Sequence, residues 1–242
     1  MQIKRSGYIY ATLFVEKLFD DMSKTYGILN SVCSFGFSTR WRKQFLRHAA
    51  IHPGMVVVDL MCGMGECWRD VAKYLSCQDQ LIAMDFSHEM LRGALKQRAR
   101  LPTLQITITK QNILANGLGD ACVDCVICAY GIKTLSDQDV CTFAAEIHRL
   151  LKPNGTFSLV EVSSPNGLWL KRAYLLYLKH VVPILGRIFL GNPENYRMLG
   201  LYTEYFGDCR RLCDALSSYG MRIQYHDYFF GCASGVSGVK LK

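Results

Sequence analysis

The stretch Val56 to Glu66, VVVDLMCGMGE, narrows the choice of folds more than any other part of the chain. Apolar positions and Asp59 lead without alternation into Gly63 and Gly65, which reads as a parallel strand buried on both faces that stops in a tight loop. A helix is expected to follow. Glycines at such an edge supply positive φ and remove the Cβ, so a ligand can lie directly against the backbone. A dinucleotide fingerprint would need a third glycine at position 68; Trp68 stands there, and that reading fails.

A second strand, Leu81 to Asp85, ends on an acid, where a carboxylate can accept both hydroxyls of a ribose. Asp59-x-x-x-Gly63-x-Gly65 followed by Asp85 resembles the S-adenosylmethionine site of a Rossmann-like class I methyltransferase. A chain of 242 residues suits one α/β domain with a large core and is short for two. The opening MQIKRSGYIYATLFVEKLFDD breaks its apolar run at Lys17 and Asp20, so no signal peptide is expected and the protein should be cytoplasmic. Eleven cysteines then read as reduced core thiols.

Residues 14–47 mix polar and aromatic side chains and read as two or three helices that cap the sheet. Within them FDDMSKTYGILNSVCSFGFSTRW, Phe19 to Trp41, resembles the N-terminal signature of the ubiquinone/menaquinone biosynthesis C-methyltransferases. In that family a Tyr-Asp pair, an Asn three residues after the Asp, Ser-Phe-Gly and a Trp recur at this spacing. Tyr26, Asn30, Ser34, Phe35, Gly36 and Trp41 match, while Gly27 replaces the family's Asp and Ser38 its His. Helix packing accounts for Phe35 and Trp41, and Tyr26 is the candidate for cofactor contact.

After Asp85, Ser87 offers an N-cap to a helix with Met90, Leu91 and Leu95 on one face. The resemblance implies that Phe86 and Met90 flank the adenine, although Met90 serves equally well as core. The alternating stretch Leu104 to Lys110 is a third strand, delivering Asn112 and Ile113 to the position that recognises adenine in methyltransferases of this fold. Cys122, Cys125 and Cys128 have a spacing that suggests a metal or iron–sulfur site. A strand alternates its faces, however, so Cys125 points away from the other two and no metal is expected. Ala129, Tyr130 and Gly131 follow at that strand's carboxyl end, where an open parallel sheet reverses its order and binds ligands.

A helix over Ser136 to Leu151 should end in a Pro153-Asn154-Gly155 turn, before a fifth strand that carries Glu161 at its end. EIHRLLKPNGTFSLVEVSSP, Glu146 to Pro165, is the second match to the quinone family. An acid beside the methyl donor is a candidate base or electrostatic partner. Ala173 to Leu190 is the most apolar stretch, but Lys179, His180, Pro183 and Arg187 interrupt it well short of the ~20 residues of a membrane span. It reads as a lid. HVVPILG and NPENYRML, with Tyr196 and Arg197, match the same family, in which this insertion helps to enclose the substrate. Tyr202 stands where the family has a small Ser, and Val236 replaces its His; the resemblance runs from about Phe14 to Lys240.

The expected architecture is α/β, a seven-stranded, mostly parallel Rossmann-like sheet with helices on both faces. One domain is divided into a helical cap (1–50), a cofactor-binding core (51–165), a substrate lid (166–206) and a closing helix and hairpin (207–242). The resemblance implies S-adenosylmethionine as cofactor, held by Tyr26, Asp59, Gly63, Gly65, Asp85, Phe86, Met90, Asn112, Ile113 and Ala129. Glu161, His180 and Arg197 are candidate catalytic groups, and Tyr130, Tyr196 and Tyr202 stand beside the acceptor. The reaction expected first is transfer of a methyl to carbon of a demethylated prenyl quinol. The alternatives are C-, O- or N-methylation in a specialised pathway, and a non-catalytic cofactor-binding subunit, against which the intact Gly63, Gly65 and Asp85 count. A net charge of +8 is moderate and scattered and is no nucleic-acid signature; peripheral membrane contact and a homodimer stay open.

Overall fold

A computed structural model describes residues 8–188 and 192–241, the side chains at 26 and 28 excepted. Strands β1 (Val56–Leu60), β2 (Gln80–Asp85), β3 (Gln105–Lys110), β4 (Val123–Ala129) and β5 (Leu151–Val162) run parallel, and β6 (Arg222–Tyr228) and β7 (Ala233–Val239) close the sheet antiparallel in the order β3-β2-β1-β4-β5-β7-β6. β1 lies between β2 and β4, so apolar side chains are needed on both of its faces. Two helices, α1 (Thr12–Cys33) and α2 (Phe37–His48), precede the sheet; Val57 joins the core that holds Trp41 and Phe45 of α2, and Val58 joins the opposite core.

The first core packs Trp41, Phe45 and Leu46 of α2, Trp68 of the one-turn helix α3 (Trp68–Val71), and Leu91 and Ala94 of α4 (His88–Arg98) against the sheet. The second packs α5 (Asp137–Leu150) against the other face through Val140, Phe143 and Ile147. Ser136 starts α5 with a reciprocal capping box to Asp139. Cys125 belongs to the first core, while Cys128 is in the second and Cys122 packs against it, the alternation expected of a strand. Thiols on opposite faces of one strand cannot converge on one ion.

Two local expectations change. The helix after the glycine loop is a single turn, and residues 153–155 form no separate turn: β5 begins at Leu151 and absorbs them as a bulge, its register to β4 shifting between Val123 and Cys125. Asn154 takes φ +63° there, and the backbones of Asn154 and Gly155 exchange hydrogen bonds with Lys240 beyond β7, at 3.0 and 2.9 Å.

Between β5 and the closing helix α9 (Arg210–Ser218) lie α6 (Leu168–Leu176), a π-helical turn (Tyr177–Val181), α7 (Val182–Ile188) and α8 (Pro193–Phe206). They pack on α1 through a third cluster containing Leu18, Met22, Leu29, Val182, Tyr196 and Tyr202. Leu190, the end of the expected lid, lies outside the described residues. Among the described residues no helix is long and apolar enough to cross a membrane.

Candidate active site

The carboxyl ends of β1, β2 and β4 meet where the strand order reverses, and a pocket opens there. Gly63 and Gly65 take φ of +56° and +81° to turn the chain out of β1. A Cβ at position 65 would lie 2.6 Å from the buried ring of Trp68. That ring is itself fixed by Asp59, whose Oδ2 accepts the indole N–H at 2.9 Å. Burial pushes the Asp59 carboxyl up to about 8, opposed by this hydrogen bond and reinforced by Glu66 and Asp85.

Asp85 closes β2 and ties the loop to it. Its two oxygens accept the N–H groups of Gly63 and Ser87, both at 2.9 Å. Burial still pushes the carboxyl up to about 6. Glu66 folds back on the loop, its Oε2 accepting the Met64 N–H at 3.1 Å, while its Oε1 is buried without a partner among the described atoms. Asp59, Glu66 and Asp85 thus line one pocket together, with Arg42 at its wall. Buried carboxyl groups with spare lone pairs suit a ligand rich in cationic and hydroxyl donors. S-adenosylmethionine brings a sulfonium, an ammonium and a ribose diol, so the residues present fit it.

Phe86, Met90 and Ala129 line the same pocket, as does Phe19 of α1. Asn112 and Ile113 do not. Asn112 is exposed, its Oδ1 accepting the Leu114 N–H at 3.0 Å, and Ile113 is buried in the second core. The Tyr26 side chain lies outside the described residues.

Tyr130 forms the partition between this pocket and a second cavity of about 300 Å³. It is held at φ +67°, its hydroxyl donates to the Ser38 carbonyl at 2.7 Å, and the Arg42 guanidinium lies 4.9 Å from its ring centre. A bulky residue in the left-handed region is a strained arrangement, of the kind found at ligand sites. The second cavity is walled by Phe37, Trp41, Tyr174, Tyr177 and Tyr196, with Ser34 and Ser38 as hydroxyls and Lys133 as its cation. Lys133 is buried in the 3₁₀ turn after β4, and its Nζ contacts Glu161 Oε1 at 2.6 Å. Glu161 also accepts the backbone N–H groups of Lys133 and Val162, at 3.1 and 2.7 Å.

The sequence reading of the catalytic groups needs correction on these positions. Glu161 faces Lys133 and lines neither cavity. His180 and Arg197 are exposed and line neither cavity, with Arg197 3.7 Å from Glu194. Tyr202 is fully buried but turned to the N-terminal segment: its hydroxyl donates to the Ile9 carbonyl and its ring packs on Tyr10. Tyr196 lines the second cavity. Arg42, Glu66 and Lys133 were missed. Glu66 directly follows the glycine loop and Lys133 follows Tyr130 by three residues, which are readable signals; Arg42 is brought in only by the packing of α2.

A sheet of this order, with an acid-rich glycine loop after its first strand and an acid closing the second, defines a class I S-adenosylmethionine-dependent methyltransferase. The chain belongs to the ubiE/COQ5 methyltransferase family, whose model matches residues 7–240. Among its relatives, the demethylmenaquinone methyltransferase of Bacillus cereus is 26% identical over 227 residues, covering 93% of this chain and 95% of the relative. A SAM-dependent methyltransferase from Aquifex aeolicus shares the fold, with a TM-score of 0.57 at 20% identity over 83% of this chain and 89% of that one. So does the geranyl diphosphate C-methyltransferase of Streptomyces coelicolor, with a TM-score of 0.56 at 10% identity over 84% and 76%.

Proposed function

We propose that this enzyme methylates a ring carbon of a demethylated prenyl quinol, working in the cytoplasm at the periphery of a membrane. The observation that carries the reading is the second cavity: aromatic and aliphatic walls, about 300 Å³, separated from the cofactor pocket by one side chain, Tyr130, and holding one buried cation, Lys133. The relatives named demethylmenaquinone methyltransferase agree with it in chemistry. Asp59, Glu66 and Asp85 would hold the cofactor, which supplies an already activated sulfonium methyl.

The chain's own work follows from this layout. A quinol hydroxyl that loses its proton makes the adjacent ring carbon nucleophilic, and a buried ammonium beside that oxygen favours its ionised form. Lys133 is such an ammonium, and Glu161 holds it in position. Carbon–carbon bond formation then displaces the sulfide and leaves a neutral ring ketone; its ring C–H proton is lost and its oxygen takes up a proton to restore the aromatic quinol, so that the proton lost on ionisation is the one released to solvent. The apolar walls keep water from competing for the methyl.

Incubation of the protein with deuteromethyl-labelled cofactor and a reduced demethylated prenyl naphthoquinol should give a product labelled on carbon by mass spectrometry. An enzyme that leaves both naphthoquinols and benzoquinols unlabelled, yet labels another metabolite in extract, points to O-, N- or C-methylation in a specialised pathway instead. Removing the cation alone would strand Glu161 as a buried charge, so the informative variant is Lys133→Gln with Glu161→Gln. It should bind cofactor like the parent and lose on the order of a hundredfold in kcat.

A further inference from the structure

Phe35, Leu170 and Phe229 border the acceptor cavity and are also exposed, so they mark its mouth. They come from separate stretches of chain: the link from α1 to α2, helix α6, and the turn from β6 to β7. Trp169 precedes Leu170 and Phe230 follows Phe229 in the chain, and they are 80% and 73% exposed; Phe35 itself is 79% exposed. Phe229 lies between Phe37 and Phe230, with ring centres 4.4 and 5.4 Å away. Large apolar side chains delivered to one opening from unrelated segments form a contiguous patch, which marks an interaction surface.

A cationic face begins beside that patch. Arg40, Lys43 and Arg47 lie along a shallow groove on α2 with Gly36, the neighbour of Phe35 and Phe37, at its end. Their spacing puts them on one side of the helix, and α2 contains no acid. None of the three takes part in an ion pair among the described residues. At the rim, the Arg172 guanidinium lies 5.9 Å from the Trp169 ring centre.

We propose that the rim and the basic face of α2 together dock on an anionic lipid bilayer, with the rim aromatics at headgroup depth and the cations against the lipid charges. Aromatic side chains around an apolar opening, next to cations without acidic partners, match the two layers of such a surface. The opening then faces the bilayer, and a prenyl-tailed acceptor enters the cavity without crossing water. That last clause rests on the quinol reading above; the docking itself does not.

The test is sedimentation of the full chain with vesicles of phosphatidylcholine alone and with added phosphatidylglycerol. Binding should require the anionic lipid and weaken with salt. Arg40→Gln/Lys43→Gln/Arg47→Gln should weaken it on the order of a hundredfold, and Trp169→Ser/Phe230→Ser at least about tenfold. The second variant, whose changed residues border neither cavity, should retain the parent's turnover of a detergent-dispersed acceptor. Absence of binding to anionic vesicles, or binding indifferent to both sets of substitutions, overturns the proposal. So does finding that these residues instead hold a dimer together or retain an oligonucleotide while vesicles go unbound. A parent that binds the vesicles but methylates no prenyl quinol leaves the docking intact and removes the quinol reading alone.

Discussion

Asp85 carries the cofactor assignment on two loop N–H groups and a buried carboxyl, so its loss should be felt by the ligand. Asp85→Ala is expected to weaken S-adenosylmethionine binding by about 1.5 to 3 kcal/mol, measured by calorimetry on folded protein. The raised carboxyls give a pH dependence of definite sign. With Asp85 pushed up to about 6 and Asp59 to about 8, the native chain keeps protons that the unfolded chain, near the ordinary value of about 4, has already lost. The unfolded state therefore binds fewer protons across that window, and the stability contributed by these groups falls as pH rises from about 4 to about 8. Cofactor-free protein should follow this slope in denaturant titrations, and Asp59→Asn, which can keep an acceptor for Trp68, should flatten its upper part. Asp59, Gly63 and Asp85 were legible because strand, glycines and acid are adjacent in sequence. Arg42 was not, because its place depends on how α2 packs over the sheet; Lys133 has a signal, three residues after Tyr130, but only the turn after β4 brings it to the second cavity.

Elements were legible where their period was clear and misread where they are locally distorted. The alternation of β4 placed Cys125 opposite Cys122 and Cys128 from sequence alone. The helical insertion after β5 was legible from its apolar run, yet the faces of its helices were not, since the π-helical turn at Tyr177–Val181 breaks the period between α6 and α7. His180 and Arg197 were proposed from the family words that contain them, and both are exposed. The loop between β1 and α3 makes the sharpest test at this scale. Gly65→Ala meets the Trp68 ring at 2.6 Å and a φ of +81° together, and Trp68 is fully buried, so about 2 to 4 kcal/mol of stability should be lost by chemical denaturation. Tyr202→Ser tests the corrected lid. It should destabilise by about 3 to 5 kcal/mol, as for loss of a buried aromatic, and leave the preference among acceptors unchanged, since the Tyr202 hydroxyl bonds Ile9 and not a ligand.

At the scale of the molecule, α1 runs past both pockets that meet at Tyr130. From Phe19, which lines the first pocket, to Cys33, which lines the second, it runs about 21 Å. Near the first pocket Asp20 Oδ1 accepts the Ser87 hydroxyl at 2.5 Å and the Glu89 N–H at 3.1 Å, fixing the helix to the start of α4 beside Asp85. Toward the other, the Thr25 and Tyr196 hydroxyls meet at 2.6 Å, and the Cys33 carbonyl accepts the Tyr177 hydroxyl at 2.8 Å, fixing it to the lid. A helix anchored at both sites transmits ordering from one to the other, and binding free energies linked in this way are reciprocal. S-adenosylhomocysteine should therefore tighten binding of an acceptor analogue to the parent. Asp20→Ala should weaken S-adenosylhomocysteine about fivefold, and Tyr196→Phe should weaken the analogue about fivefold, each the worth of one hydrogen bond near 1 kcal/mol. Both should also shrink the coupling factor measured by calorimetry with and without the second ligand. A coupling factor left at the parent's value in both variants would make α1 a passive cover, with the two pockets communicating through Tyr130 alone.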